Sequence, residues 1–315
     1  MKRILTSIFA ICVSGLFAQQ QTQFTQYMNN NFLLNPAEGG TRDYTDIKLG
    51  LRKQWQGLEG SPQAGFLSVS HTIKKQEDKD GIKPLAHHGI GGYAISEQQG
   101  PLNFNSLYLS YSFHLPLTEK ARLSFGVFAG GKQFSFETTD VTFIDGQDND
   151  VLVGDDQSAI VHDLAAGIWF YNTNFYAGVS SFQLTKSQFD VETELSQLSS
   201  GLSRHFYFTS GYKVPISEDF FVVPSFVVRM STPAPIQFDL NAKFRYKDLV
   251  WFGGSYRNLD AATIFAGATF LKNLDFGYSY DINISDLNQF NNGSHEILLG
   301  YRINKKFDEI PAQFW

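Results

Sequence analysis

Eight charged residues fall at alternating positions late in the chain: Asp239, Lys243, Arg245, Arg257, Asp275, Asp281, Glu296 and Arg302. Alternate residues of a strand share a face. Charges gathered on one buried face must be paired. The set therefore reads as a polar network lining an enclosed space, either an ion-paired filling or a solute pathway. No ring of a single sign stands out, as an ion-selective pore would need.

The other chemistry-bearing groups are weaker. The stretch from Phe136 to Gln157 carries Asp140, Asp145, Asp148, Asp150, Asp155 and Asp156. Asp145, Asp148 and Asp150 are spaced to supply oxygen ligands to calcium, but the spacing departs from the EF-hand loop. A solvated acidic loop accounts for the same residues. His87 and His88 are adjacent, so on a strand they point to opposite faces and cannot share a metal. Ser294, His295 and Asp281 have the types of a nucleophilic triad, but Ser294 and His295 diverge in the same way. No HExxH, GxSxG, phosphate-binding loop or paired-carboxylate motif appears. The expectation is a non-enzymatic protein without cofactor or metal.

These residues need strands to position them, and the sequence supplies strands. From Ile236 to Lys247 one face reads Ile236, Phe238, Leu240, Ala242, Phe244, Tyr246, and the other Gln237, Asp239, Asn241, Lys243, Arg245, Lys247. The same split recurs at Ser106 to Leu115, Arg122 to Ala129 and Leu274 to Ile282. Segments of about ten residues suit tilted membrane-spanning strands. Fourteen candidates follow: 45–55, 64–73, 87–97, 103–115, 121–134, 160–170, 174–182, 203–213, 219–230, 236–247, 249–257, 262–271, 273–283 and 294–304. One helical turn is suggested near Ser187 to Leu198. An even strand count closes with both termini on one side.

Connection lengths test that arrangement. With periplasmic termini, the loops after even strands should be short. Those at 116–120, 171–173, 214–218, 248 and 272 are tight, and the long stretches 135–159, 183–202 and 284–293 fall on the outer side. The stretch 74–86 is the exception. Trp55, Tyr93, Trp169, Tyr212 and Trp251 are expected in the aromatic girdles at the two membrane interfaces.

Composition agrees. Aromatics are 15% of the chain, with 30 Phe and 27 Gly, and mean hydropathy is −0.19. A net charge of −6 argues against nucleic acid as a partner. Lys2 and Arg3, then the apolar Ile4 to Phe17, then Leu16-Phe17-Ala18 before Gln19, read as a secretion signal cleaved near Ala18. Cys12 is the only cysteine and lies inside that segment, so the mature chain has no thiol or disulfide chemistry. A secreted soluble β-sandwich or barrel is the competing class.

Two blocks carry a resemblance. The first holds Gln23-Phe24-Thr25-Gln26-Tyr27-Met28, Asn35-Pro36-Ala37, Gly40-Thr41-Arg42-Asp43-Tyr44, Arg52-Lys53-Gln54-Trp55 and Gly60-Ser61-Pro62. The second holds Gly277-Tyr278-Ser279-Tyr280-Asp281-Ile282-Asn283 and Gly293-Ser294-His295-Glu296-Ile297-Leu298-Leu299-Gly300-Tyr301. Together they resemble the PorP/SprF family of outer-membrane proteins of type IX secretion in Bacteroidota. The resemblance implies an integral outer-membrane barrel of a Gram-negative bacterium. It would assist export or surface attachment of particular cargo, gliding adhesins among them, recognised through the cargo's type IX C-terminal domain. Its implied partners are that cargo, other secretion components and outer-membrane lipid. The alternative is a passive channel or solute transporter. No catalytic residues are carried over. The long acidic loop and the extension from Asn304 to Trp315 depart from the family's usual pattern.

The expected organisation is a signal peptide (1–18), an arm (19–44), an all-β transmembrane antiparallel barrel of about fourteen strands (45–304) and a periplasmic tail (305–315). The arm is rich in Gln and Asn and marked by Asn-Pro and Gly-Gly, which suits no regular element. Its backbone needs partners, and a charged lumen would offer them. Phe24, Gln26, Tyr27, Asn35 and Pro36 are the candidate residues of a partial plug.

Overall fold

The computed structural model describes residues 22–73, 85–136, 157–185, 188–189, 200–201, 203–231 and 234–303. Within them the alternating segments form the strands β1 (Thr45–Lys53), β2 (Gln63–Ile73), β3 (His87–Gln99), β4 (Leu102–Pro116), β5 (Arg122–Phe136), β6 (Gln157–Tyr171), β7 (Phe175–Phe182), β8 (His205–Tyr212), β9 (Phe220–Ser231), β10 (Gln237–Tyr246), β11 (Val250–Arg257), β12 (Ala261–Phe270), β13 (Leu274–Asn283) and β14 (Ser294–Ile303). Val214–Pro215 prolongs the β8 side and pairs with β9.

Each strand pairs antiparallel with its sequence neighbours, and β1 pairs with β14, Thr45 opposite Ile303 and Lys53 opposite His295. The sheet is a closed fourteen-stranded barrel. Closure is what allows strands to sit in hydrocarbon, because no backbone edge is left unpaired. Thr45 and Ile303 lie at the same end, here termed the inner end. The tight turns gather at that end, as expected of the periplasmic side of such a barrel.

The two faces differ as the alternation requires. On β4, Leu107 and Leu109 are 64% and 69% exposed, while Tyr108, Ser112 and His114 between and beyond them are buried. On β10, Phe238 and Leu240 are exposed, and Asp239, Asn241 and Lys243 are buried. An exposed apolar face beside a buried polar one inverts a soluble protein and suits a barrel in lipid.

The inner turns are tight for a local reason. Lys247 and Asp248 have φ of 49° and 54°, and Leu271 and Lys272 have 48° and 64°. Two successive left-handed residues make the hairpin geometry whose twist matches the flanking strands. In the turn before β5, the Thr118 hydroxyl accepts from the Lys120 and Ala121 N–H groups. Lys247 also pairs with Asp219 of the adjacent inner turn at 3.2 Å, and that contact pushes its ammonium pKa up.

Three sequence expectations change. Tyr93, Trp169 and Trp251 do not form interfacial girdles: they are 3%, 0% and 5% exposed, on the polar face. Parity decides this. Trp169 stands opposite Ser124 and Gly178 and stacks on Tyr176 at 5.0 Å. Tyr93 stacks on Tyr108 at 5.0 Å. Tyr212 is exposed. Secondly, β6 is longer than the alternation suggested, because β5 and β6 pair as far as Phe136 opposite Gln157. Backbone pairing continues past the apolar band that the pattern tracks. Thirdly, within the suggested helical turn, Gln188–Phe189 instead pair with Ser200–Gly201 as a short ladder. The signal segment, residues 74–84, the acidic loop 137–156 and the tail from 304 lie outside the described residues.

Candidate functional site

All eight charged residues predicted for the polar face are on it, and the strands sort them into separate clusters. Near the outer end, Arg52 of β1 lies between two carboxylates. Its Nη2 is 2.7 Å from Asp281 Oδ2 of β13, and its Nη1 is 3.5 Å from Glu296 Oε2 of β14. Asp281 also accepts from the Thr263 hydroxyl at 2.9 Å. A second cluster centres on Asp239, which receives Arg229 at 2.7 Å and Arg257 at 3.3 Å. Arg257 continues to Asp260 at 3.0 Å.

The third cluster is at the inner end. Asp46 pairs with Lys48 at 2.8 Å and with Arg42, and Arg42 reaches Glu38 at 3.2 Å. Arg302 pairs with Asp275 across β13 and β14. Arg245 is at the rim, 2.9 Å from Asp248. Lys243 is 2% exposed, and its ammonium reaches Asn29 Oδ1 at 3.0 Å and the Met28 carbonyl at 3.5 Å. Buried charges of this kind are tolerable only when paired or hydrogen-bonded.

Several of these partners belong to the segment before β1. It makes three single 3₁₀ turns, Tyr27–Asn29, Asn31–Leu33 and Pro36–Glu38, consistent with a composition that suits no longer element. Phe24, Gln26, Tyr27, Asn35 and Pro36 are all buried. The Thr25 and Gln26 N–H groups donate to the two oxygens of Glu296 at 2.6 and 2.9 Å, and the Thr25 hydroxyl donates to Asp281 at 2.8 Å. Asn30 donates to Ser68 at 2.9 Å, and Asn241 to the Tyr27 hydroxyl. Phe24 packs edge-on to Phe66 at 4.6 Å, and Phe32 to Phe128 at 5.2 Å.

Asn35 is the densest junction. Its Oδ1 accepts from the Ala37 N–H at 2.9 Å and caps the third turn, with Pro36 next to it in the favoured first position. Its Nδ2 donates to the carbonyls of Ile168 on β6 and Val179 on β7, at 3.0 and 3.1 Å. Further along, Ser124 donates to the Ala37 carbonyl at 2.5 Å. The His114 and His87 rings stack at 4.3 Å, and their Nε2 atoms lie 2.8 and 3.0 Å from the Gly39 and Gly40 carbonyls.

The wall is cut back where this segment approaches. A Cβ on Gly126 would strike the Pro36–Ala37 backbone, and one on Gly167 would strike the Asn35 side chain. Such close backbone approach is a recognised use of strand glycine.

Strand parity kept the other candidates apart. His87 is buried beside His114, whereas His88 faces outward to the Tyr111 hydroxyl at 2.7 Å. Ser294 accepts from the Trp55 N–H at 3.1 Å, and His295 bonds Tyr278 at 2.6 Å on the opposite face. The Ser294, His295, Asp281 set is therefore not assembled. Among the described residues, no group of three or more His, Cys, Asp or Glu is placed to hold a metal.

Sequence reasoning missed Asp46, Lys48, Arg52 and Arg229 as partners, and Glu38 and Arg42 in the arm. The first three alternate with Ile47, Leu49 and Leu51, so the parity used for β10 would have found them. Arg229 sits in the apolar run of β9 and had no such signal.

In comparisons with known proteins, the family described as "Type IX secretion system membrane protein PorP/SprF" matches residues 16–301. No curated protein matches the chain in sequence. Among solved structures, it is similar to the CymD monoaromatic hydrocarbon channel, with TM-score 0.52 and 14% identity over 89% of this chain and 94% of that one. A TodX monoaromatic hydrocarbon channel mutant gives TM-score 0.50 and 12% identity, over 88% and 94%. A Pseudomonas aeruginosa FadL homologue gives 0.48 and 10%, over 86% and 92%. At these identities the likeness is one of barrel architecture.

Proposed function

Since the chain belongs to the PorP/SprF family of type IX secretion system membrane proteins, we propose that it is a closed, non-enzymatic outer-membrane barrel that docks a secreted cargo protein. The outer-membrane barrel itself follows from family and fold. In this reading the cargo's C-terminal domain meets the outer loops, and residues 23–42 fill the lumen as a plug. The observation that carries it is the burial of the arm against charged and polar side chains of β1, β2, β10, β13 and β14. A barrel whose inner face is used up in holding its own chain has little of that face left to line a solute pathway. Its specific chemistry then falls to its surfaces.

The competing reading is a passive channel, since two barrels similar to it in fold are named as channels. One experiment addresses both. The barrel is purified from detergent-solubilised membranes, and co-purifying proteins are identified by mass spectrometry. The same preparation is placed in planar bilayers. Docking predicts a secreted protein bearing a type IX C-terminal domain and a closed barrel. Steady conductance with no such protein would overturn it.

A further inference from the structure

The arm's contacts are ordered along the barrel axis. Nearest β1, Arg42 bonds Asp46, the second residue of that strand. The Gly40 carbonyl accepts from Thr72, one residue from the inner end of β2, and lies 3.0 Å from the ring of His87, the first residue of β3. Ala37 meets Ser124, close to the inner start of β5. Asn35 then bonds Ile168 and Val179, higher on β6 and β7, and Asn30 bonds Ser68 midway along β2. Thr25 and Gln26 meet Glu296, near the outer start of β14, with Thr25 also on Asp281 and Arg52 at the outer ends of β13 and β1. Gln23 bonds Gln237, the first residue of β10, at 2.8 Å, and Thr22 bonds Glu97 near the outer end of β3.

From these contacts we infer that the arm threads the whole barrel, from the inner mouth to the outer rim. Its Thr22 end opens to the cell exterior, while Asp43 faces the periplasm. The chain thus makes one more crossing than its strands, and the Thr22 end of the arm joins the outer loops as part of the cell-surface face. The sequence had suggested an arm folded into the lumen as a partial plug, with no course through it. Sequential bonding to both rims supplies that course. The inference rests on the contact order and stands whether or not cargo docks on those loops.

The geometry makes this testable, because the expected leader removes Cys12, the only cysteine. Single-cysteine variants Thr22→Cys and Gln23→Cys mark the arm's far end, and Asp43→Cys the near end. Glu59→Cys in the outer loop after β1 and Lys120→Cys in an inner turn calibrate the two sides; Asp43, Glu59 and Lys120 are exposed. Heat-modifiable migration confirms that each barrel has formed. Whole cells are treated with a maleimide reagent too large to cross the outer membrane, before and after that membrane is permeabilised. Labelling of Thr22→Cys or Gln23→Cys in intact cells alongside Glu59→Cys, with Asp43→Cys reacting only after permeabilisation like Lys120→Cys, is the expected result. Labelling of both far-end variants only after permeabilisation, or of neither under any condition while Glu59→Cys reacts, would overturn the threading.

Discussion

Arg52 and Asp281 are 229 positions apart in the chain and 2.7 Å apart in the barrel. Their pairing spans the closing seam, because β14 lies between β1 and β13. Arg52 is the cation that two carboxylates share, Asp281 and Glu296, and both carboxylates also receive the arm. Removing it leaves two buried anions side by side, and breaking a buried pair in this way costs roughly 3–5 kcal/mol. Arg52→Ala should therefore lower the midpoint of unfolding of the detergent-solubilised barrel. Adding Asp281→Asn and Glu296→Gln should recover much of the loss, because neutral amides need no cation. If the triple variant is as unstable as the single one, the charge argument fails.

Gly126 tests whether the wall is shaped for the arm. A Cβ there collides with Pro36 and Ala37 backbone, which cannot rotate away. Overpacking costs typically about 1–3 kcal/mol. Gly126→Val should increase proteolytic cleavage within residues 23–42 while the strands stay heat-modifiable. Gly100→Asn, at an outer turn with no atom close to its Cβ position and a φ of 56° that asparagine tolerates, should leave cleavage of the arm unchanged. Equal protection in both variants would count against the fit.

Asn35 separates capping from anchoring. Asn35→Ala loses the acceptor for the Ala37 N–H and the donor to Ile168 and Val179. The expected destabilisation is about 1–2 kcal/mol, the range for a cap plus neutral hydrogen bonds. Asn35→Ser can keep the cap but cannot reach both carbonyls, so it should fall between wild type and alanine in urea titrations. Serine behaving like wild type would mean that the anchor to β6 and β7 contributes nothing.

The barrel was legible in the sequence because its two solvents impose opposite demands on alternate residues. Strands such as Gln237–Tyr246 and Leu274–Asn283 carry lipid-facing apolar residues and inward charges in strict alternation. The eight inward charges were legible for the same reason. Their partners were less so: strand parity fixes which way a side chain points, and only strand order says that Arg52 meets Asp281. The aromatic residues misled because a large inward ring looks like a girdle residue. Trp169 has room only since Gly178 faces it, a pairing invisible without the register. The arm was legible as irregular and in need of partners. Its course was not, because 3₁₀ turns have no long period to read.

Deleting residues 22–41 tests what the arm does for the barrel as a whole. The deletion strips Glu296 of its two backbone donors, Asp281 of the Thr25 hydroxyl, and Lys243 of its Asn29 and Met28 acceptors. Arg52 remains beside both carboxylates, so the strands should still close, with heat-modifiable migration retained at a lower midpoint. Water must then solvate the freed groups, and the space once filled by Phe24, Tyr27, Phe32 and their neighbours becomes continuous with both mouths. In planar bilayers the deletion variant should conduct ions steadily while the intact barrel stays closed. Cation preference is expected to be weak, because Asp239, Asp281 and Glu296 stand among Arg52, Arg229 and Arg257 with no ring of one sign. Equal conductance of the two proteins would mean that the arm does not seal the barrel, and would favour the channel reading over the plugged one.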